Sequence, residues 1–239
     1  MSEITTKDVQ IFNNGTAIDA YLAISETEQS PWGIVVLQEI FGINPHIQDV
    51  TKRLASQGYA AIAPALYQRS APGFQAGYNA EGINIGRQYK DQTTAEQLLG
   101  DIQAAIDLLK TLPQVQKIGT IGFCFGGHVA YLAASLDSVN ATASFYGAGI
   151  VNSRPGGGEP TLNVTPEIKG TVYAFFGTED PSIPPEAVEA IEKALTQQNP
   201  ANRVFRYPGA EHGFFCDQRA SYNKEAALDA WLKVKSLFS

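Results

Sequence analysis

Short apolar runs alternate with segments of helical periodicity along most of this chain. The runs 33–40 (GIVVLQEI), 59–66 (YAAIAPAL), 117–124 (KIGTIGFC), 141–147 (ATASFYG), 170–177 (GTVYAFFG) and 202–209 (NRVFRYPG) are rich in Val, Ile, Tyr and Phe, and most end at Gly or Pro. Near-continuous apolarity over so few residues predicts buried strands. Between them, segments around 45–57, 93–111, 126–136, 184–198 and 219–238 read as helices. In TAEQLLGDIQAAIDLLKTL the apolar positions recur at three and four, and Pro113 follows as a stop.

Strand–helix alternation of this kind predicts an α/β fold, a mostly parallel sheet with helices on both faces. The opening segment DVQIFNNGTAIDAYLAI instead predicts an antiparallel hairpin turning at Asn13-Asn14-Gly15. Two stretches fall outside the alternation. Residues 67–90 and 148–166 are polar and glycine-rich and longer than ordinary loops, as lids, binding loops or solvated insertions are. No shift in composition divides the chain, so residues 1–239 are expected to form one domain.

Composition narrows the partners. A formal charge of −7 and the lack of any basic run exclude the electrostatic footprint of a nucleic-acid binder. No apolar stretch approaches the length of a membrane span, and the amino terminus lacks the pattern of a signal peptide. Two cysteines, Cys124 and Cys216, are too few for a disulfide framework, so a cytoplasmic setting is expected. No group of His, Cys and carboxylates has metal-ligand spacing, and the expected chemistry needs neither a metal nor another cofactor.

That chemistry centres on GFCFG, residues 122–126, where a strand should end and a helix begin. The pattern Gly-x-nucleophile-x-Gly belongs to a sharp turn whose strain exposes the central side chain above the sheet. Gly122 and Gly126 give that turn room, and Gly127 lets the helix pack closely. A sulfur at a helix N-terminus is favoured as thiolate, and the N–H of Phe125 would serve as an oxyanion donor. A triad in this architecture continues with an acid and then a histidine. Of the three histidines, His212 alone lies downstream with strands between, in YPGAEHGFF. His46 and His128 fail the order; His128 is expected to pack or face solvent, and His46 to be solvated. The acid comes from Glu179 or Asp180 after 170–177, with Asp180 preferred because the turn carries it to the same sheet edge.

The segments VVLQEIFGINPHIQDVTKRLASQGYAAIAPALY, IGFCFGGHVA and YPGAEHGFF together resemble the dienelactone hydrolase (carboxymethylenebutenolidase) family of the α/β-hydrolase fold. The resemblance implies a hydrolase of a small lactone or ester, with Cys124, Asp180 and His212 as triad and a thioester intermediate. It adds Glu39 of QEIFG as a carboxylate that partners the resting thiol and, once substrate displaces it, takes the thiol proton, and the Ile40 N–H as second oxyanion donor. It also implies a substrate carboxylate held by arginines. One family arginine position is Cys216 here; Arg87, Arg219 and Arg69 are the candidates, with Tyr89 and Tyr146 as pocket tyrosines. A general carboxylesterase or thioesterase would use the same machinery. A different class, a thiol redox sensor pairing Cys124 with Cys216, rests on Cys216 lying four residues beyond His212.

Overall fold

The computed structural model describes residues 3–27 and 29–239. Its chain runs β1 (Ile4–Asn13), β2 (Thr16–Ser25), β3 (Trp32–Leu37), α1 (Pro45–Ala55), β4 (Ala60–Pro64), α2 (Ala80–Lys90), α3 (Ala95–Lys110) and β5 (Lys117–Phe123). It continues with α4 (Phe125–Ala133), β6 (Ala141–Phe145), β7 (Thr171–Gly177), α5 (Pro185–Gln198), β8 (Arg203–Tyr207) and α6 (Lys224–Leu237). The eight strands form one sheet in the order β1-β2-β4-β3-β5-β6-β7-β8. Six strands, β4 through β8 with β3, run parallel, and the β1–β2 hairpin adds antiparallel through β2 to β4. This is the mostly parallel α/β sheet that the alternating pattern predicts, with the antiparallel hairpin at its edge, and it fits the α/β-hydrolase fold that the resemblance implies.

The hairpin turn closes where expected. Asn13 pairs Thr16, and both connecting residues take left-handed backbone, Asn14 at φ 48° and Gly15 at φ 80°. That is the two-residue turn whose twist matches the strands, and Asn-Gly is the pair that tolerates it. The central strands β3, β4 and β6 are buried along their whole length, because apolar layers cover both faces. On one face lie Ile47, Val50, Leu54 and the aromatic stack Phe123–Phe145–Phe175; on the other lie Ile102, Ile106, Leu109 and Val129. No helix among the described residues is long and apolar enough to cross a membrane.

One expectation fails. Residues 67–90 are not wholly irregular: they contain α2, capped by the Asn79 side chain accepting from the Gly82 N–H at 2.8 Å. Two glycines weaken the helical signal there, each costing about 1 kcal/mol relative to Ala. Their reason is tertiary. A Cβ on Gly86 would sit 2.2 Å from the Ile40 carbonyl oxygen, and one on Gly82 2.2 Å from that of Gly77. The excursion 148–166 is irregular as expected, apart from a 3-10 turn over Thr161–Glu167.

The α2 contact yields a prediction. Gly86→Ala should cost about 2 kcal/mol by overpacking, lowering Tm by roughly 4–8 °C for a chain of this size. Gly77→Ala, where nothing lies within 4 Å of the added methyl, is the control. Thermal unfolding of both variants checks it.

Candidate active site

Cys124 sits between β5 and α4 at φ 56° and ψ −116°, a conformation a non-glycine residue adopts only under constraint. Three close backbone approaches impose it. A Cβ on Gly122 would stand 1.8 Å from the Gly126 oxygen, one on Gly126 2.1 Å from the Leu37 oxygen, and one on Gly127 2.1 Å from the Phe145 oxygen. The Cys124 N–H donates to the Phe145 carbonyl at 3.1 Å. The side chain is thereby turned into a cavity of about 770 Å³ that His212, Phe125, Ile40 and Arg219 also line. Neither the Phe125 nor the Ile40 N–H has an acceptor among the described residues.

The loops after β7 and β8 are tied together at their roots. The Thr178 N–H donates to the Tyr207 carbonyl at 3.0 Å, and the Glu179 N–H to that of Ala210 at 3.0 Å. This brings Asp180 and His212 into contact, Asp180 Oδ2 to His212 Nδ1 at 2.7 Å, while Oδ1 accepts from the Ser182 N–H at 2.8 Å. Glu179, the other acid at this turn, is exposed. With Nδ1 taken, Nε2 is the nitrogen left for a proton from the sulfur. Burial works against a charged His212, but the adjoining Cys124 thiolate and the Asp180 carboxylate outweigh it and push the ring up to about 10. Cys124 thus adjoins the His212 ring, whose other side contacts Asp180.

Glu39 is fully buried just past the end of β3, and its partners differ from those expected. Oε1 accepts from Arg219 Nη1 at 2.9 Å and Oε2 from the Tyr78 hydroxyl at 2.9 Å. The carboxylate is thus held by Arg219 and Tyr78, not by the Cys124 thiol. Tyr78 and Arg219 act as a pair here, yet no local pattern marks the tyrosine: it precedes the α2 cap in a polar stretch and meets Glu39 across 39 residues of chain.

The remaining expected site residues divide. Arg87 and Arg219 line the cavity, and so does Arg154, which sequence reasoning passed over. The guanidiniums of Arg87 and Arg154 have no partner among the described residues, whereas Lys90 beside them pairs with Asp91 at 3.1 Å. Arg69 is committed elsewhere, to the buried Asp101 through Nη1 and Nη2 at 2.5 and 2.8 Å. Tyr89 is not at the cavity wall; it packs against Tyr67 and Phe74 under α2. Tyr146 is fully buried beneath the His212 ring at 5.2 Å, its hydroxyl without a partner among the described residues.

His128 and His46 are both buried. His128 Nδ1–H donates to the Ala148 carbonyl at 2.8 Å, so Nε2 accepts from Thr161 Oγ1 at 2.7 Å, and burial depresses the ring to about 4. It pins the 148–166 excursion to α4. His46, expected to be solvated, is wholly enclosed, with edge contacts to Phe123 and Phe215; burial, then Arg53 and Arg219, lower it to about 3.

Glu39, His46 and Cys216 bring their ligating atoms within 4.8 Å of one another, a grouping the sequence spacing hides. The donor set does not fit a metal ion well. Arg219 already supplies the cation facing Glu39, and Cys216 donates its S–H to Tyr78 Oη at 3.2 Å. Burial and Glu39 push that thiol up to about 11. The same burial weighs against Cys216 as a resolving thiol, since exchange needs an accessible thiolate. Both cysteines are free.

The dienelactone hydrolase family model matches residues 18–239. The chain belongs to the dienelactone hydrolase family. A Synechocystis protein provisionally named carboxymethylenebutenolidase is 56% identical over 238 residues, covering 99% of this chain and 97% of its own. A Yersinia pestis protein of the same provisional name is 33% identical, over 97% of this chain and 87% of its own. Among solved structures, a Klebsiella pneumoniae protein provisionally identified as a dienelactone hydrolase superposes with TM-score 0.88 at 28% identity, covering 99% of this chain and 98% of the other. Membership of the family makes the chain an ester-cleaving hydrolase.

The titration of His212 can be read directly. Its folded value lies above the ordinary 6.5, so protonation favours the fold; the gain is complete below about pH 6.5 and is lost as pH rises toward about 10. In wild type the imidazole resonances of His212 should move well above pH 6.5, with Tm falling over the same interval. Asp180→Asn should lower that midpoint and flatten the Tm curve. NMR titration and thermal unfolding against pH check both.

Proposed function

We propose that the protein hydrolyses a small lactone or carboxylic ester of dienelactone type through Cys124, His212 and Asp180. The observation that carries this reading is the 2.7 Å Asp180–His212 contact beside a cysteine held at the strand–helix turn. His212 takes the thiol proton at Nε2, and the thiolate attacks the ester carbonyl carbon. Charge on the carbonyl oxygen is met by the uncommitted N–H groups of Phe125 and Ile40. The acyl C–O bond breaks, and the leaving oxygen receives the proton from His212, leaving a thioester on Cys124. His212 then deprotonates a water that attacks the thioester, releasing the acid and restoring the sulfur. Asp180 orients the ring and favours its charged form.

Glu39 contributes as the counter-charge of Arg219, whose guanidinium faces both the cavity and the sulfur. Because both of its oxygens have donors, we assign acceptance of the thiol proton to His212. The substrate class follows from the cavity wall. Arg87 and Arg154 stand there without partners on a chain of net charge −7, which suits a substrate with an acid group away from the scissile bond. The aliphatic and aromatic floor of Ile40, Phe41, Ile83 and Phe125 suits its hydrocarbon part. We read the whole chain as one domain and place it in the cytoplasm, where two free thiols persist.

Two outcomes test the reading. Cis- or trans-dienelactone should lose its ultraviolet absorbance in the presence of the enzyme, and Cys124→Ala should abolish that turnover. Acid quenching of wild type should leave an acyl adduct on the Cys124 peptide, detectable by mass; turnover surviving in Cys124→Ala would refute the nucleophile. Arg154→Gln should raise KM for an acidic ester roughly ten-fold, the worth of one charge-assisted hydrogen bond, with little change in kcat. Steady-state kinetics with acidic and neutral esters check the split.

A further inference from the structure

We propose that His128 is a positioning residue: its ring clasps both ends of the 148–166 excursion and so holds Arg154 in the cavity wall, where it sets a preference for acidic over neutral esters. The inference rests on the reading of Arg154 as the holder of a substrate acid group given above. Its basis is what the two ring nitrogens can bind. The Ala148 carbonyl at 2.8 Å can only accept, so Nδ1 carries the proton, and Nε2 then accepts from Thr161 Oγ1 at 2.7 Å. His128 is buried on α4, and Thr161 is wholly enclosed. Burial, opposed by the Ala148 bond, depresses the ring to about 4, so it stays neutral and keeps this tautomer near pH 7.

The excursion has little regular structure of its own. Strand β6 ends at Phe145, and the 3-10 turn begins at Thr161. Gly149, Gly156, Gly157 and Gly158 between them all take left-handed backbone. A segment of this kind has much backbone freedom to lose, so its shape depends on a few anchoring contacts. From the ring, order passes to Arg154 through Ser153. The Thr161 N–H donates to the Ser153 carbonyl at 3.0 Å. The Ser153 N–H and Oγ both donate to the Gly149 carbonyl, at 2.9 and 3.0 Å. Ser153 is thus fixed by Thr161 and by the neighbour of Ala148, and Arg154 follows it directly.

A second brace lies beyond Arg154. The Pro155 carbonyl accepts the Ala95 N–H at the start of α3 at 2.9 Å. Gly156 lies so near Thr94 that an added Cβ would stand 2.9 Å from the threonine Cβ. Arg154 therefore stands at the cavity between two anchored neighbours. Further along α4, Tyr131 Oη pairs with Thr165 Oγ1 at 2.6 Å and holds the 3-10 turn. His128 holds the excursion at its root and at its return. It acts on the substrate through Arg154.

The experiment opens the clasp at either partner. Thr161→Val keeps the shape and removes the hydroxyl donor, and Thr161→Ser restores it. His128→Asn keeps an N–H for Ala148 and loses the acceptor for Thr161. Thermal melts verify folding. The probes are p-nitrophenyl hemiglutarate and p-nitrophenyl valerate, esters of equal chain length with and without a terminal carboxylate. Thr161→Val and His128→Asn should each raise KM for the hemiglutarate about three-fold or more, with kcat, and KM for the valerate, within about two-fold of wild type. Thr161→Ser should behave as wild type. In an Arg154→Gln background the same changes should have less than about a two-fold effect on either ester. Hydrogen exchange, which needs no turnover, should show the Ser153 and Leu162 amides exchanging faster in Thr161→Val and not in Thr161→Ser. Exchange left unaltered, a KM rise shared by both esters, or one that persists without Arg154 overturns the proposal. If Arg154→Gln shifts the preference and Thr161→Val does not, the clasp is refuted and the reading of Arg154 stands. If Arg154→Gln leaves the preference unmoved, that reading fails and this inference with it. The nucleophile is decided separately, by ester turnover in Cys124→Ala.

Discussion

Backbone packed directly on backbone at the start of α4 is the constraint from which the site follows. Gly122, Gly126 and Gly127 have no room for a β-carbon, since each would meet a carbonyl oxygen at 1.8–2.1 Å. Helix α4 can therefore descend onto the ends of β3, β5 and β6 at once. Cys124 takes up the strain at a positive φ, and its sulfur stands at the positive end of the helix. The amides of Phe125 and Ile40 reach the same cavity for the same reason: one begins the helix, and the other follows the strand on which the helix rests.

A second layer lies beneath the sulfur and is polar where a sheet protein is ordinarily apolar. Glu39, His46, Asn44 and Cys216 are all buried, with Tyr78 and Arg219 closing over them. Buried polar groups of this density are stable only when their donors and acceptors are matched. Most are matched here through Tyr78 Oη and the Arg219–Glu39 pair, while His46 is kept neutral by burial. Positive charge from Arg219 and His212 faces the sulfur, and the buried Glu39 carboxylate is turned to its own donors.

The fold was largely readable in advance because its central strands are buried on both faces. Runs such as IVVL and YAFF have no polar face to blur the signal, and all six parallel strands fall where the apolar runs lie. The strand–helix turn at Cys124 was equally readable, since three glycines about one cysteine have a local steric cause. Helix α2 was hidden by the same residue type. Gly82 and Gly86 look like loop residues, yet at each a carbonyl oxygen occupies the space of a side chain, that of Gly77 in the turn before α2 and that of Ile40 after β3. Local propensity and tertiary contact give opposite signals at those two positions, and contact prevails.

By itself the sequence determined the alternating sheet, the hairpin turn, the elbow at Cys124, and the order in which an acid and His212 follow it. Each of these depends on near neighbours in the chain or on the period of its apolar positions. Tertiary structure alone decided who pairs with whom: Glu39 with Arg219 and Tyr78, Arg69 with Asp101, His128 with Ala148 and Thr161. It also enclosed His46, drew Tyr89 and Tyr146 away from the cavity, and brought Arg154 to it. The physical reason is that hydrogen bonds and ion pairs are short-ranged and satisfied one at a time. A sequence names the groups able to form them, but only packing brings particular ones within 3 Å of one another.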